Sequence, residues 1–334
     1  MAFEDTPNKA TIRTSWDDPL IRRWAARESR PLTYFGLPGP EIRDLIAWRD
    51  MLDARRTGVE EVGSGPRGRE RADAAASRMV KNAMVQGLGS GLQILRGDIA
   101  DIILNATDVH GTRPLMADDQ PVQHAQFRYD LINLDFDGGL GYQGSQQREA
   151  KRVTALKRLI ERQKGHSFLL LLTLNVRHRL EDQMREFLCR LENRFGGRRD
   201  MDTAIHWFAE QGPGCQDQVL RATVPYVVRS AGELHGFDVW SHPPVAYTGH
   251  RGARMVHFAF ELTWQHANLP AVSPQDESGL LGLPLIECDE GELQVCLKQS
   301  PSADLSQLPQ VLDFLRPNRV HSICSVVPTG SGGR

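Results

Sequence analysis

Two apolar runs separated by one basic segment constrain this chain more than any other feature. The first, Tyr129 to Tyr142, reads YDLINLDFDGGLGY, and the second, Ser167 to Asn175, reads SFLLLLTLN. The first run breaks into Asp135 and Asp137 and then into Gly138, Gly139 and Gly141. A short apolar run that ends in acids and glycines reads as a buried parallel strand presenting polar groups at its carboxyl end. In open α/β sheets that edge is where ligands bind. Residues Gln146 to Lys164 between the runs are helical and basic. Strand, helix, strand predicts a parallel crossover unit.

The rest of the chain reads as units of the same kind. Residues 1–30 form an N-terminal arm, with a helix starting at Asp17-Asp18-Pro19 and Leu20, Ile21 and Trp24 on one face. Leu32 to Phe35 predicts a first strand that runs into the turn Gly36-Leu37-Pro38-Gly39. A helix follows, with Pro40 and Glu41 in its first turn and the stripe Ile42, Leu45, Ile46, Trp48, Leu52. A second strand is expected over Thr57 to Val62 near Glu60 and Glu61, and an alanine-rich helix over 69–86. A third strand is expected over Leu92 to Leu95, followed by Gly97-Asp98 and a short helix over 99–105. Helices are expected at 178–195, 201–210 and 214–231.

Beyond residue 236 the pattern changes. In Arg254 to Trp264, Val256, Phe258, Phe260 and Leu262 alternate with His257, Ala259, Glu261 and Thr263, which is an antiparallel strand pattern. Paired with Phe237 to Ser241, it predicts a C-terminal antiparallel hairpin at one edge of the sheet. Residues 266–334 read as a small extension with a strand pair near 285–287 and 293–297, a helix over 305–315 and a disordered tail.

Composition narrows the class without naming a function. The chain has 334 residues and a net charge of −2, so global charge gives no support for nucleic-acid binding. Its five cysteines are scattered, without a CxxC pair, which argues against a zinc site or a disulfide framework. The amino terminus shows no signal-peptide pattern, and the apolar run Phe168 to Leu172 is far too short to span a bilayer. We expect a soluble, cytoplasmic protein with no membrane partner.

Alternating strands and helices closed by an antiparallel hairpin resemble the class I S-adenosylmethionine-dependent methyltransferase fold, over residues 31–265. The resemblance implies a Rossmann-like methyltransferase fold with a mainly parallel twisted sheet. It implies S-adenosylmethionine as cofactor, with Gly36 and Gly39 in the first turn, Glu60 or Glu61 on the ribose hydroxyls and Asp98 near the adenine amine. It implies that the fourth strand carries the catalytic motif, here Asp135-Phe136-Asp137-Gly138, which is similar to a DPFG fragment of the three-cysteine-motif partner proteins. Asp135 and Asp137 are then the catalytic candidates, set to orient or deprotonate an acceptor. The basic helix 146–164 would attract a nucleic acid or nucleotide, and a protein partner is an open alternative. So is a protein that keeps the fold but lacks the chemistry. A further alternative is a metal-dependent nuclease or nucleotidyl enzyme, with Asp135 and Asp137 on Mg²⁺ and Asp108, His110 and Asp119 in support.

Overall fold

The structure, a computed structural model, describes residues 6–62, 66–114, 128–136, 140, 146–176, 189, 216–265, 285–296 and 323–324. The two apolar runs lie side by side in it. Strand β4 (Leu131–Asp135) and strand β5 (Phe168–Asn175) are parallel, with Leu131 opposite Leu169 and Asp135 opposite Thr173, and helix α6 (Gln146–Arg162) lies between them in sequence. The other strands are β1 (Leu32–Gly36), β2 (Leu52–Glu60), β3 (Leu92–Arg96), β6 (Phe237–Ser241), β7 (Val245–Thr248), β8 (Arg254–Trp264), β9 (Leu285–Asp289), β10 (Glu292–Cys296) and β11 (Ile323–Cys324). The order β3-β2-β1-β4-β5 is parallel throughout. Strand β8 then reverses direction against β5. This is the expected Rossmann-like methyltransferase fold.

Strand β5 is buried along its whole length because both faces of the sheet are covered. Phe168, Leu170, Leu172 and Leu174 pack on the side of α5 (Ile99–Asn105), α6 and α7 (Gln216–Leu234). Leu169 and Leu171 pack on the opposite side, under the amino-terminal arm. That arm consists of α1 (Pro7–Thr11), a π-helical turn over Ile12–Asp17 and α2 (Asp18–Glu28). It buries Trp16, Leu20, Ile21 and Trp24 against the sheet. Helices α3 (Arg43–Ala47) and α4 (Pro66–Val85) complete this layer.

Three expectations change. The helix after β1 spans only Arg43–Ala47, because Ile42 sits in the left-handed region at φ 45° and the chain turns through Arg49–Met51 straight into β2. Pro40 and Glu41 precede that helix, and Leu52 opens a strand instead of continuing the stripe. The closing pair is also not a simple hairpin at an edge. Strand β8 is long enough to hold β6 along its carboxyl half and β7 along its amino half, and Pro243-Pro244 interrupts the strand between them. Proline has no amide to give a ladder, so a break falls there. The sheet then continues from β7 through β9 and β10 to β11. The helices expected at 178–195 (apart from Cys189), 201–210 and 305–315, and the tail, lie outside the described residues.

Candidate functional site at the carboxyl edge of the sheet

From β1 the chain winds outward through β2 to β3, then crosses back to β4 on the other side of β1. The β1–β4 boundary is therefore the topological switch point, where such sheets leave a crevice. The predicted residues converge on this edge from four strands, and their environments differ.

Gly36 ends β1, and a Cβ there would collide with the Asn133 carbonyl and the Tyr34 hydroxyl. Close strand packing is what this position requires. Gly39 is the conformational glycine of the turn, at φ +64° with open space around its Cα. Glu60 ends β2, half-buried, and its carboxylate has no hydrogen bond or ion pair among the described residues. Burial, and then the neighbouring Glu61, push it up to about 7. Asp98 caps α5, accepting from the amides of Ala100 at 2.8 Å and Asp101 at 3.4 Å. Its second oxygen lies 3.4 Å from the Lys151 ammonium. Asp137, with Gly138, Gly139, Gly141 and Asp119, lies outside the described residues.

Asp135 ends β4 and faces a small polar pocket roofed by the arm. Lys9 of α1 forms an ion pair with it. Burial pushes Lys9 down, but Asp135 and Asp44 outweigh this and hold the ammonium above its ordinary range. Arg13 donates to Asp44 at 2.6 Å, and Asp44 also accepts from Asn133 at 2.9 Å. Burial lifts the Asp44 carboxyl despite these partners. His257 lies with Nε2 2.8 Å from Asp17 and Nδ1 2.8 Å from the Thr173 hydroxyl. A carboxylate only accepts, so Nε2–H donates to Asp17, and in the neutral ring Nδ1 accepts the threonine proton. The roof over this network is the π-helical turn, an irregularity found often at functional sites.

Sequence reasoning overlooked Lys9, Arg13, Asp17, Asp44, Thr173, Tyr247 and His257 as site residues. One signal was available: His257 interrupts an otherwise apolar strand centre between Val256 and Phe258. The metal set fares differently. Asp108 spends its carboxylate on the amides of Arg96, His110 and Thr112. Among the described residues no three His, Cys, Asp or Glu side chains are grouped to hold a metal ion.

Much of the charge on α6 is engaged inside the protein. Lys151 lies 2.7 Å from Asp101, and Arg152 lies 3.9 Å from Glu61 and covers the Phe136 ring. Arg158 pairs with Glu161, and Arg162 donates to the Leu104 carbonyl at 2.8 Å. Lys157 and Lys164 are exposed. No helix among the described residues is long and apolar enough to cross a membrane.

Strand order and switch point thus give this chain a class I methyltransferase-like fold. The model of the PP_RS20740-like family matches residues 7–195, and the chain belongs to that family. No curated protein matches it. Among solved structures it is similar to a candidate RNA methyltransferase from Pyrococcus horikoshii, at 9% identity over 78% of this chain and 84% of the other, with a TM-score of 0.38. It is similar to magnesium protoporphyrin IX methyltransferase from Synechocystis PCC 6803, at 13% over 76% and 85%, TM-score 0.36. It is also similar to the O-methyltransferase TomG from Streptomyces achromogenes, at 11% over 79% and 92%, TM-score 0.35. The fold assignment rests on this chain's own strand order, not on these values.

Proposed function

We propose that this protein binds S-adenosylmethionine in the crevice at the carboxyl ends of β1, β2 and β4, and that it is a methyltransferase whose acceptor is brought to Asp135. The observation that carries the reading is Glu60. A half-buried carboxylate without a partner is costly, and one at this edge is a site candidate. The hydroxyls of a ribose would supply the two donors it lacks. The open turn at Gly39 fits close approach of a ligand to the backbone.

The cofactor would supply an electrophilic methyl group on a sulfonium. The chain's own residues have the rest of the work. Glu60 would hold the ribose. Asp135 would orient the acceptor, and holding two reactants in line can contribute about 7–11 kcal/mol to a transfer. Asp98 would reach an adenine amine only in competition with Lys151. A nucleic-acid or nucleotide acceptor along α6 has its support in the exposed Lys157 and, just past the helix end, Lys164.

Isothermal titration with S-adenosylmethionine tests the proposal. Wild type should bind, and Glu60→Gln should bind at least tenfold more weakly while keeping its fold. Absence of binding by wild type would leave a protein that has the fold without the cofactor. Equal binding by both would remove Glu60 from the site.

A further inference from the structure

The pocket beneath the arm holds more carboxylates than its built-in cations offset. Asp17, Asp44 and Asp135 line it, against Lys9 and Arg13. Two of the three acids are committed to well-fixed partners: Asp44 to Arg13 and Asn133, and Asp17 to His257. Asp135 depends on Lys9, which is anchored differently. Lys9 belongs to a five-residue helix, and its side chain is 32% exposed where that of Asp135 is 17% exposed. Lys9 is thus the more exposed member of the pair and holds Asp135 through a flexible four-carbon stem.

A second observation is independent of the acids. Tyr247 lines the same pocket and is 3% exposed, and its hydroxyl has no hydrogen-bond partner among the described residues. The charges of Asp135, Asp17 and Asp44 all act on this hydroxyl, in addition to its burial. A buried phenol without a partner beside three carboxylates is a polar group with capacity to spare.

We propose that this pocket is a binding site for a primary ammonium group, with Lys9 as its resident, displaceable occupant. An incoming alkylammonium would take Asp135 as its charge partner and the Tyr247 hydroxyl as a second acceptor. An anion is disfavoured by the three acids. A guanidinium would find its forked partner, Asp44, already engaged by Arg13. The inference concerns binding alone: it shares Asp135 with the proposed acceptor position but needs no S-adenosylmethionine, so ammonium binding and cofactor binding can fail separately.

The test uses the full chain and n-butylammonium chloride as the probe, with n-butanol as the uncharged control. Lys9→Met should bind n-butylammonium at least tenfold more tightly than wild type, and neither protein should bind n-butanol. Adding Asp135→Asn to Lys9→Met should abolish the gain, and adding Tyr247→Phe should reduce it. If Lys9→Met does not fold by circular dichroism, Lys9→Gln is titrated in its place. Equal affinity of wild type and variant, or a gain that survives Asp135→Asn, overturns the proposal. So does failure of both Lys9 variants to fold, which would make Lys9 a structural counter-ion.

Discussion

Two aspartates five residues apart mark the two ends of the β4 segment, and their surroundings could hardly differ more. Asp130, just before the strand, is fully buried and fully satisfied. It takes both guanidinium nitrogens of Arg30 at 2.7 Å, the amide and the hydroxyl of Thr33 at 2.8 Å, and lies 2.9 Å from His166. Asp135, at the carboxyl end, is partly open and holds a single ammonium, that of Lys9, among the described residues. The same side chain is a rivet at one end and a socket at the other. The difference follows from position: Arg30, Thr33 and His166 converge on Asp130 at the amino end of the strand, while Asp135 stands at the carboxyl end, beside the switch point.

Mutation should separate the two roles. The largest effect is expected from Asp130→Ala, which leaves Arg30 and the Thr33 donors without their acceptor. Leaving the buried Thr33 donors unsatisfied costs about 1–3 kcal/mol, to be measured by urea unfolding. A loss below about 1 kcal/mol would mean that Asp130 is no rivet.

Acid sharpens the same point. Although burial alone would raise Asp130, the His166 ring beside it and the hydrogen bonds from Arg30 and Thr33 hold it well below the usual carboxylate range. A depressed carboxyl contributes stability that is present above its unfolded value, about 3.9, and is lost as pH falls towards the folded value. Wild type should therefore lose stability below about pH 4 more steeply than Asp130→Asn. Parallel slopes in thermal melts would contradict this.

Glu60 should behave in the opposite sense. Its folded value of about 7 exceeds the unfolded value of about 4.3. The folded state then binds the extra proton, and stability falls as pH rises between the two values. Glu60→Gln should remove that fall and gain about 1 kcal/mol at pH 8, after allowance for solvent screening. It would then lose cofactor while gaining stability, the mark of a residue kept for binding. The smallest effect is expected at the socket itself. Asp135→Asn should cost less than about 1 kcal/mol in the same melts, as for a partly exposed pair. A loss as large as that of Asp130→Ala would erase the contrast between the two ends.

How much of this could be read from the chain depended on sequence distance. The β4–β5 crossover was plain because each apolar run signals burial by itself. Strand β7 was missed because VAYT is four residues long and follows two prolines. Leu52 fitted a helical stripe with Leu45 and Trp48 as well as it fits a strand, and only the pairing with Leu32 decides. His257 fell on the polar side of an alternating pattern, which ordinarily faces water. Here the arm covers that side, and His257 is buried against Asp17, 240 positions away. Local patterns carry no information about such a partner. For Glu60 and Asp98 the sequence marked the positions, but only the structure distinguishes a carboxylate with no donor among the described residues from one that caps a helix.

The docking of α1 has a consequence for the order in which the molecule is completed. Asn8 donates to the Thr248 carbonyl at 3.2 Å and accepts from the Gly291 amide at 2.8 Å, and the Thr11 hydroxyl donates to the Gly291 carbonyl at 2.8 Å. Helix α1 is thus fastened by partners that follow it by 240 to 283 positions. Since domains form as synthesis proceeds, the parallel half of the sheet has its strands long before the turn between β9 and β10 emerges. Throughout that interval α1 lacks these three hydrogen bonds, and the roof over Asp135 rests on the packing of Trp16, Leu20 and Ile21 against the parallel strands.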